Sequence, residues 1–201
     1  MSYLGEDMAT IEYKKLVMAG PMRWVVLTTD GEVTTLAWFV KVRYTTQGGG
    51  TVLFARSDLQ GNGRDDVFAV FSDNPAMAEH LRDDIFSYTV FAGVPDQTPP
   101  APIVEATFES QNDFPNSIIE SMRAVDGTTL TLSLRDLGPP KAYVRVVNEH
   151  LTEVGAFAVP AEFSLEINGV VPVGQPEMGP LAEAEAPPVG ADVQNLWYEK
   201  M

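Results

Sequence analysis

The chain has 201 residues and a formal charge of −15, with 28 acidic residues against 13 basic ones. The negative electrostatic field of such a chain repels the phosphates of nucleic acids and of anionic membranes, so neither is an expected partner. The sequence has no cysteine, which excludes disulfides and thiolate metal ligands. It has no apolar run long enough to span a bilayer, and we expect a cytoplasmic protein.

The first recognisable element is a β-hairpin around Asp30-Gly31. Runs of alternating apolar and polar residues precede and follow this pair, and the second run places Trp38 and Val40 on one face and Lys41 on the other. Asp-Gly is typical of a tight hairpin turn because both central residues need a positive φ. The pattern predicts two antiparallel strands with one buried and one mostly wet face.

A helix is predicted near residues 75–88. Asn74 can cap its first turn, and Pro75 suits the first helical position because that residue needs no amide donor. The apolar residues at helical spacing are Met77, Leu81, Ile85 and Tyr88. These features predict an amphipathic helix packed on a sheet.

The second half of the chain has a clearer strand pattern than the first. After the Asp126-Gly127 turn, leucine alternates with threonine or serine through Leu130, Leu132 and Leu134. Farther along, the alternation predicts that Ala142, Val144 and Val146 face inward. Many short strands of this kind predict an antiparallel β architecture.

Composition divides the chain into five segments. These are an N-terminal arm (1–20), a hairpin-rich half with the helix (21–93), a Pro-rich strap or linker (94–102), an antiparallel β half (103–173), and a Pro/Ala/Glu-rich tail with an aromatic end (174–201). We expect an all-β fold, either a β-sandwich or a lipocalin-like barrel, mostly antiparallel, with one helix. The two halves could form one domain or two.

One polar segment between predicted strands has the spacing of a calcium loop. The candidate oxygen ligands at positions one, three, five and nine are Asp58, Gln60, Asn62 and Asp66, with Gly63 at position six. The segment resembles the calcium loop of FG-GAP repeats and, less closely, the EF-hand loop. It departs from both at positions three and five, which carry neutral amides, and from the EF-hand at position twelve, which is Ala69. A weak calcium site and a plain polar turn both remain open, and no other cofactor is indicated.

Aromatic residues concentrate around the first hairpin. The candidate ligand-binding side chains are Trp24, Trp38, Phe39 and Tyr44. If a barrel leaves them lining an open interior, they would bind a small apolar molecule. If the interior is filled, they are core residues.

Three classes of function follow from these features. The first is a non-catalytic protein-binding or assembly module that uses an apolar patch of Leu196, Trp197 and Tyr198 to bind a protein partner or a second copy. The second is the barrel that binds a small apolar ligand. The third is an enzyme on such a barrel, which would use carboxylates with His80 or His150. We favour the first class, because the sequence has no nucleophile, phosphate-binding or dinucleotide motif and no residue is assigned a catalytic role.

Overall fold

The computed structural model describes residues 15–86, 100–179 and 186–199. A short helix, α1 (Pro75–His80), continues into a π-helical turn at Leu81–Ile85. None of the helices in these ranges is long and apolar enough to cross a membrane. The strands are β1 (Lys15–Ala19), β2 (Met22–Thr29), β3 (Glu32–Val42), β4 (Tyr44–Thr45), β5 (Gly50–Ser57), β6 (Val67–Ser72), β7 (Ile103–Asp113), β8 (Ser117–Ala124), β9 (Thr129–Leu137), β10 (Lys141–Val146), β11 (Leu151–Ala158), β12 (Pro160–Ile167) and β13 (Val189–Glu199).

The strands form one mixed sheet, so the predicted all-β fold with one helix is confirmed. Its order is β10-β11-β13-β2-β3-β5-β6-β7-β8-β9-β12, with β1 beside β13 and β4 beside β1. Among the described pairings, only β6 with β7 is parallel. The sheet is neither two separate layers nor a barrel with a closed hydrogen-bond ladder.

The chain itself connects the two ends of this strand order. Only Val159 separates β11 from β12, and its carbonyl accepts a hydrogen bond from the Gly138 amide at 2.9 Å, between β9 and β10. The pair β9–β12 therefore bends directly into the pair β10–β11. The ring centroids of Phe39 on β3 and Phe108 on β7 are 6.3 Å apart, although β5 and β6 lie between these two strands in the sheet. This contact shows that the sheet is strongly curled.

Two apolar cores lie on opposite faces of the curled sheet. The inner core draws on both halves of the chain, from Val25 and Leu53 to Leu132 and Ile167. The largest apolar side chains of the outer core are Met18, Met22, Phe54, Met77, Leu81, Phe86 and Trp197. Because both faces are covered, the central strands are buried on both sides.

The helix covers part of the outer core. The Asn74 side chain accepts the Met77 amide at 3.3 Å, as the sequence predicts, and the helix buries Met77, Ala78 and Leu81. The predicted helix is confirmed as far as Ile85, and its last two predicted positions, 87 and 88, lie outside the described residues.

The predicted hairpin turn is confirmed, but the predictions of which strand faces are buried are partly wrong. Asp30 and Gly31 have φ values of 53° and 82°, so the first hairpin turn is confirmed. The prediction of one wet face for β3 is wrong at Phe39, which is 2% exposed. On β10 the inward prediction is wrong for all three residues: Ala142 is exposed, and Val144 and Val146 are 38% and 64% exposed. Because β10 lies at the end of the sheet, its apolar face has no layer to cover it.

The end of the predicted tail forms a central strand. Val189–Glu199 is β13, which pairs with β11 on one side and with β1 and β2 on the other. Lys15–Ala19 of the predicted N-terminal arm therefore lies against the tail. Residues 1–14 of that arm, residues 94–99 of the strap and residues 180–185 of the tail lie outside the described residues.

We predict that Trp197→Ala lowers the free energy of unfolding by about 3–5 kcal/mol, because it opens a cavity in the outer core. Trp197 is fully buried, and the centroid of its ring lies 5.1 Å from the centroid of the Phe86 ring. Urea denaturation measures the loss. Val171→Ala is the control, since Val171 is 73% exposed and should change the free energy by less than about 0.5 kcal/mol. Equal effects of the two substitutions would contradict the burial of Trp197.

Candidate functional site

A buried charge pair crosses the inner core. Arg23 on β2 shares its face with Val25, and Glu120 on β8 shares its face with Ile118 and Met122. Arg23 Nε lies 3.9 Å from Glu120 Oε1, and the two residues are 4% and 7% exposed. Burial raises the pKa of Glu120, and the Arg23 charge opposes part of this rise. Burial likewise lowers the pKa of Arg23.

Arg23 also connects this pair to β13. The pairing between β2 and β13 ends at Arg23 and Ala191, and β13 is irregular just beyond Asp192. At this gap Arg23 Nη1 donates to the carbonyl of Met22 at 2.7 Å and to the carbonyl of Asp192. The guanidinium therefore binds carbonyls at the point where the β2–β13 ladder stops.

A second group of buried polar side chains, which we call the polar network, consists of Tyr143, Glu153, Asp192 and Asn195. Asn195 Nδ2 lies 2.6 Å from both Tyr143 Oη and Glu153 Oε1, and 2.8 Å from Asp192 Oδ2. Tyr143 Oη lies 2.7 Å from Glu153 Oε1 and 3.2 Å from Asp192 Oδ2. One amide and one hydroxyl thus hold two carboxyl groups together.

Strand register explains why these four side chains meet. Tyr143 on β10 is paired with Gly155 on β11, and Gly155 is paired with Asn195 on β13. A side-chain carbon at Gly155 would lie 2.8 Å from Tyr143 Oη, so the phenol occupies the space that glycine leaves open. Glu153 lies two residues before this glycine, on the same face of β11.

The polar network reaches solvent on the β10 side. Arg145, two residues after Tyr143, forms an ion pair with Glu153, and its side chain is 36% exposed. The Glu153 side chain is only 4% exposed. The edge strand therefore provides the route between the buried carboxyl groups and water.

The hydrogen atoms available do not satisfy every contact in the polar network. An amide nitrogen carries two hydrogens and a phenol carries one, so Asn195 and Tyr143 offer three for five close contacts. A protonated carboxyl group supplies a fourth. Consistent with this count, burial and the neighbouring Glu153 raise the pKa of Asp192 to about 7. Burial also raises the pKa of Tyr143, which keeps the phenol protonated.

Several buried polar atoms around Asp192 have no hydrogen-bonding partner among the described residues. They include Asp192 Oδ1, Asn195 Oδ1 and Arg23 Nε. Asp192 is 1% exposed and Asn195 is fully buried. Since an unmade hydrogen bond costs about 1–3 kcal/mol for a buried group, these atoms reduce stability and call for a functional reason.

The predicted calcium loop is organised around one carboxylate. Asp58 accepts the backbone amides of Gln60, Asn62 and Gly63 at 3.2, 3.0 and 2.6 Å, and Asp66 accepts the amide of Leu59 at 2.9 Å. Burial raises the pKa of Asp58, but these backbone hydrogen bonds outweigh it and lower the pKa overall. In the described ranges no three acidic or histidine side chains are grouped so that they could hold a metal ion. Calcium binding stays a prediction.

The four candidate aromatic residues do not meet in one place. Trp38 packs in the outer core with its ring 4.7 Å from that of Phe86, whereas Phe39 packs in the inner core. Trp24 Nε1 donates to the Pro187 carbonyl at 2.7 Å, and Tyr44 is 45% exposed. The residues are thus split between two cores and the surface.

The remaining candidates also lie outside the polar network. His80 Nδ1 is 2.7 Å from the exposed Asp84 carboxylate, and the His150 side chain is 74% exposed. Leu196, Trp197 and Tyr198 all belong to β13. Trp197 is fully buried in the outer core, whereas Leu196 and Tyr198 are half-buried, and partner binding by these residues stays a prediction.

Sequence reasoning missed the residues that do come together. The alternation that predicts Ala142, Val144 and Val146 to face inward places Tyr143 and Arg145 on the opposite face, and Asp192 and Asn195 lie in the predicted tail. One signal was present: the run ADVQNLWY carries the apolar density of a strand, although it follows a Pro-rich segment.

No protein-family model matches the chain, and no curated protein matches it. Among solved structures the chain is similar to acetoacetate decarboxylase, with a TM-score of 0.44 and 8% sequence identity over 98% of this chain and 93% of that chain. A likeness of this size carries no argument about substrate or reaction.

We predict strong coupling between Arg23 and Glu120. Arg23→Met and Glu120→Leu should each cost about 3–5 kcal/mol, because each leaves a buried charge without its partner. The double variant should cost clearly less than the sum of the two, as measured by urea denaturation. The matched control is the exposed pair Lys15–Glu199, 3.3 Å apart, for which the same cycle should give a coupling below about 1 kcal/mol. Additive losses at Arg23 and Glu120 would contradict the pair.

We also predict that Asp192 makes stability depend on pH. Because its folded pKa of about 7 exceeds the ordinary value of 3.8, the folded protein keeps a proton that the unfolded chain releases. The free energy of unfolding should therefore fall as pH rises from about 4 to about 7, by up to about 1.4 kcal/mol per pH unit, and level off above. Asp192→Asn should remove this contribution, whereas the exposed Glu162→Gln should retain it. Parallel pH profiles for wild type and Asp192→Asn would refute the assignment.

Proposed function

We propose that this protein binds a small polar molecule at the polar network. The observation that carries the proposal is the pair of unpartnered acceptors, Asp192 Oδ1 and Asn195 Oδ1, on side chains that are almost or completely buried. Buried polar groups in folded proteins nearly always have partners, and the exceptions concentrate at sites with a function. A polar ligand would provide the missing hydrogen bonds.

The arrangement around these acceptors suits recognition of a small molecule. Tyr143 and Asn195 hold the Glu153 and Asp192 carboxyl groups in place, so the ligand would meet groups already oriented for it. Arg145 sits between this network and solvent with a half-exposed side chain. Its movement would open the route without disturbing the strands beneath.

The ligand that this site favours differs from the apolar one suggested by the sequence. The inner core is filled where Phe39 packs against Phe108, and Trp38 packs against Phe54 and Phe86 in the outer core. Neither contact supports an open apolar pocket. The polar network supports a polar occupant.

Acid–base chemistry at the same network is the enzymatic alternative. A carboxyl group with a pKa of about 7, such as that of Asp192, can both give and take a proton near neutral pH. The histidines proposed from the sequence lie elsewhere, so this alternative depends on Asp192 and Glu153. Binding comes first in either case.

The protein-binding alternative now depends on a different surface. Trp197 is buried, whereas Val144 and Val146 are exposed on the edge strand β10. An exposed apolar edge strand is a surface to which another strand can add. Protein binding stays a prediction, and the observations at Asp192 and Asn195 favour the small-molecule proposal over it.

Titration of isotope-labelled protein with small polar probes tests the proposal by NMR. Methylammonium, acetamide and acetate represent cationic, neutral and anionic groups. We expect at least one to shift the Asn195 side-chain amide signals saturably, because that amide contacts three atoms of the network. Tyr143→Phe, which removes only the hydroxyl, should weaken this response several-fold.

Tyr44→Phe is the matched control, because the Tyr44 ring is 45% exposed and the residue lies outside the polar network. It should titrate like wild type. If none of the three probes gives a saturable shift at Asn195, the network is not a binding site. Equal titrations for Tyr143→Phe and Tyr44→Phe would place the binding elsewhere.

A further inference from the structure

We infer that the group recognised at the polar network is an ammonium group, bound at the unpartnered oxygens of Asp192 and Asn195. This inference rests on the proposed function and names the chemical class of its ligand. An ammonium group is a compact cation with N–H donors and no acceptor. Three features of the site favour it.

The first feature is the kind of atom left without a partner. Two β13 side chains, Asp192 and Asn195, contact the Tyr143 hydroxyl. Each has one atom without a hydrogen-bonding partner, and both of these atoms are oxygens, Asp192 Oδ1 and Asn195 Oδ1. The hydrogens of Asn195 Nδ2 point into contacts with Tyr143, Glu153 and Asp192 itself. Two nearby donors, Arg23 Nε and Arg145 Nε, also have no hydrogen-bonding partner, but their guanidinium groups are ion-paired with Glu120 and Glu153. The oxygens of Asp192 and Asn195 therefore still lack a donor, which a ligand would bring.

The second feature is the charge count. Two guanidinium groups and three carboxyl groups lie in and next to the polar network. Arg23 pairs with Glu120, and Arg145 pairs with Glu153, which leaves the carboxyl group of Asp192. Within the described ranges, Asp192 forms no ion pair of its own. A third cation would complete the set, and the field of a chain with a net charge of −15 would attract it.

The third feature is the shortage of protons within the network. Without the ligand, a proton on a carboxyl group helps to satisfy the five close contacts around Tyr143 and Asn195. A bound ammonium group stabilises the ionised carboxylate, so the proton leaves Asp192 as the cation arrives. Binding should therefore release about one proton at a pH where Asp192 is protonated.

Several other ionisable groups could contribute to the pH dependence. The groups that act directly on Asp192 are Arg23 on β2, Tyr143 on β10 and Glu153 on β11. Two more are linked to these by ion pairs: Glu120 on β8 to Arg23, and Arg145 on β10 to Glu153. Tyr143 keeps its proton near neutral pH, because burial raises the pKa of its phenol. Glu120 is the other carboxyl group with a raised pKa, and its charge is opposed by Arg23.

The same NMR titration, extended to four probes, tests the inference. Methylammonium should shift the Asn195 side-chain amide with a lower Kd than acetamide or acetate at matched ionic strength. Tetramethylammonium, which has the charge but no N–H, should bind at least several-fold more weakly than methylammonium. Tyr44→Phe should behave like wild type in all four titrations.

The pH dependence gives a second readout from the unmodified protein. Methylammonium stays charged from about pH 6 to about pH 8, so its Kd should fall about tenfold across this range as Asp192 ionises with a pKa of about 7. Asp192→Asn should abolish both the binding and its pH dependence. Calorimetry in two buffers with different ionisation enthalpies counts the proton released.

The outcomes separate this inference from the proposed function. If acetate or acetamide binds at Asn195 and methylammonium does not, the network is a binding site, but the ammonium inference is wrong. Methylammonium binding with no change of Kd between the two pH values, or equal binding of tetramethylammonium, overturns the inference as well. If no probe shifts Asn195, both fall together.

Discussion

The placement of β13 between β11 and β2 is the constraint on which the rest of the structure depends. This strand brings the end of the chain against Lys15–Ala19 and inserts Trp197 into the outer core. It also presents Asp192 and Asn195 to a tyrosine and a glutamate that are far away in sequence. Without β13, the β10–β11 hairpin would have no neighbour in the sheet other than the bend into β9 and β12.

Burial of the polar network lowers the stability of a fold that otherwise contains two apolar cores. Carboxyl groups that are buried this deeply lose hydration, and hydrogen bonds from Tyr143 and Asn195 recover only part of it. Most of the other acidic residues in the described ranges are exposed, and their hydration carries no such cost. This contrast between the solvated acids and Asp192 is the reason that we propose ligand binding here and not on the acidic surface.

Much of the fold could be predicted from local pattern. The Asp30-Gly31 turn, the cap at Asn74 and the leucine alternation of β9 are each decided by neighbours in sequence, through positive φ, an unpaired helical amide or side-chain period. The site could not be predicted in this way. Tyr143 and Asn195 are 52 positions apart and meet only because Gly155 lies between them in the register of three strands.

The sequence by itself determined the class of the fold, the position of the helix and the first hairpin turn. Only the tertiary structure decided which face of each strand is buried and which polar residues share a site. Alternation indicates that a strand has two different faces, but the curl of the sheet and the edge position of β10 decide which face is covered. Tyr143 is therefore half-buried and Val146 is exposed. For the same reason Trp197 is a core residue, because β13 fills the place in the sheet between β11 and β2.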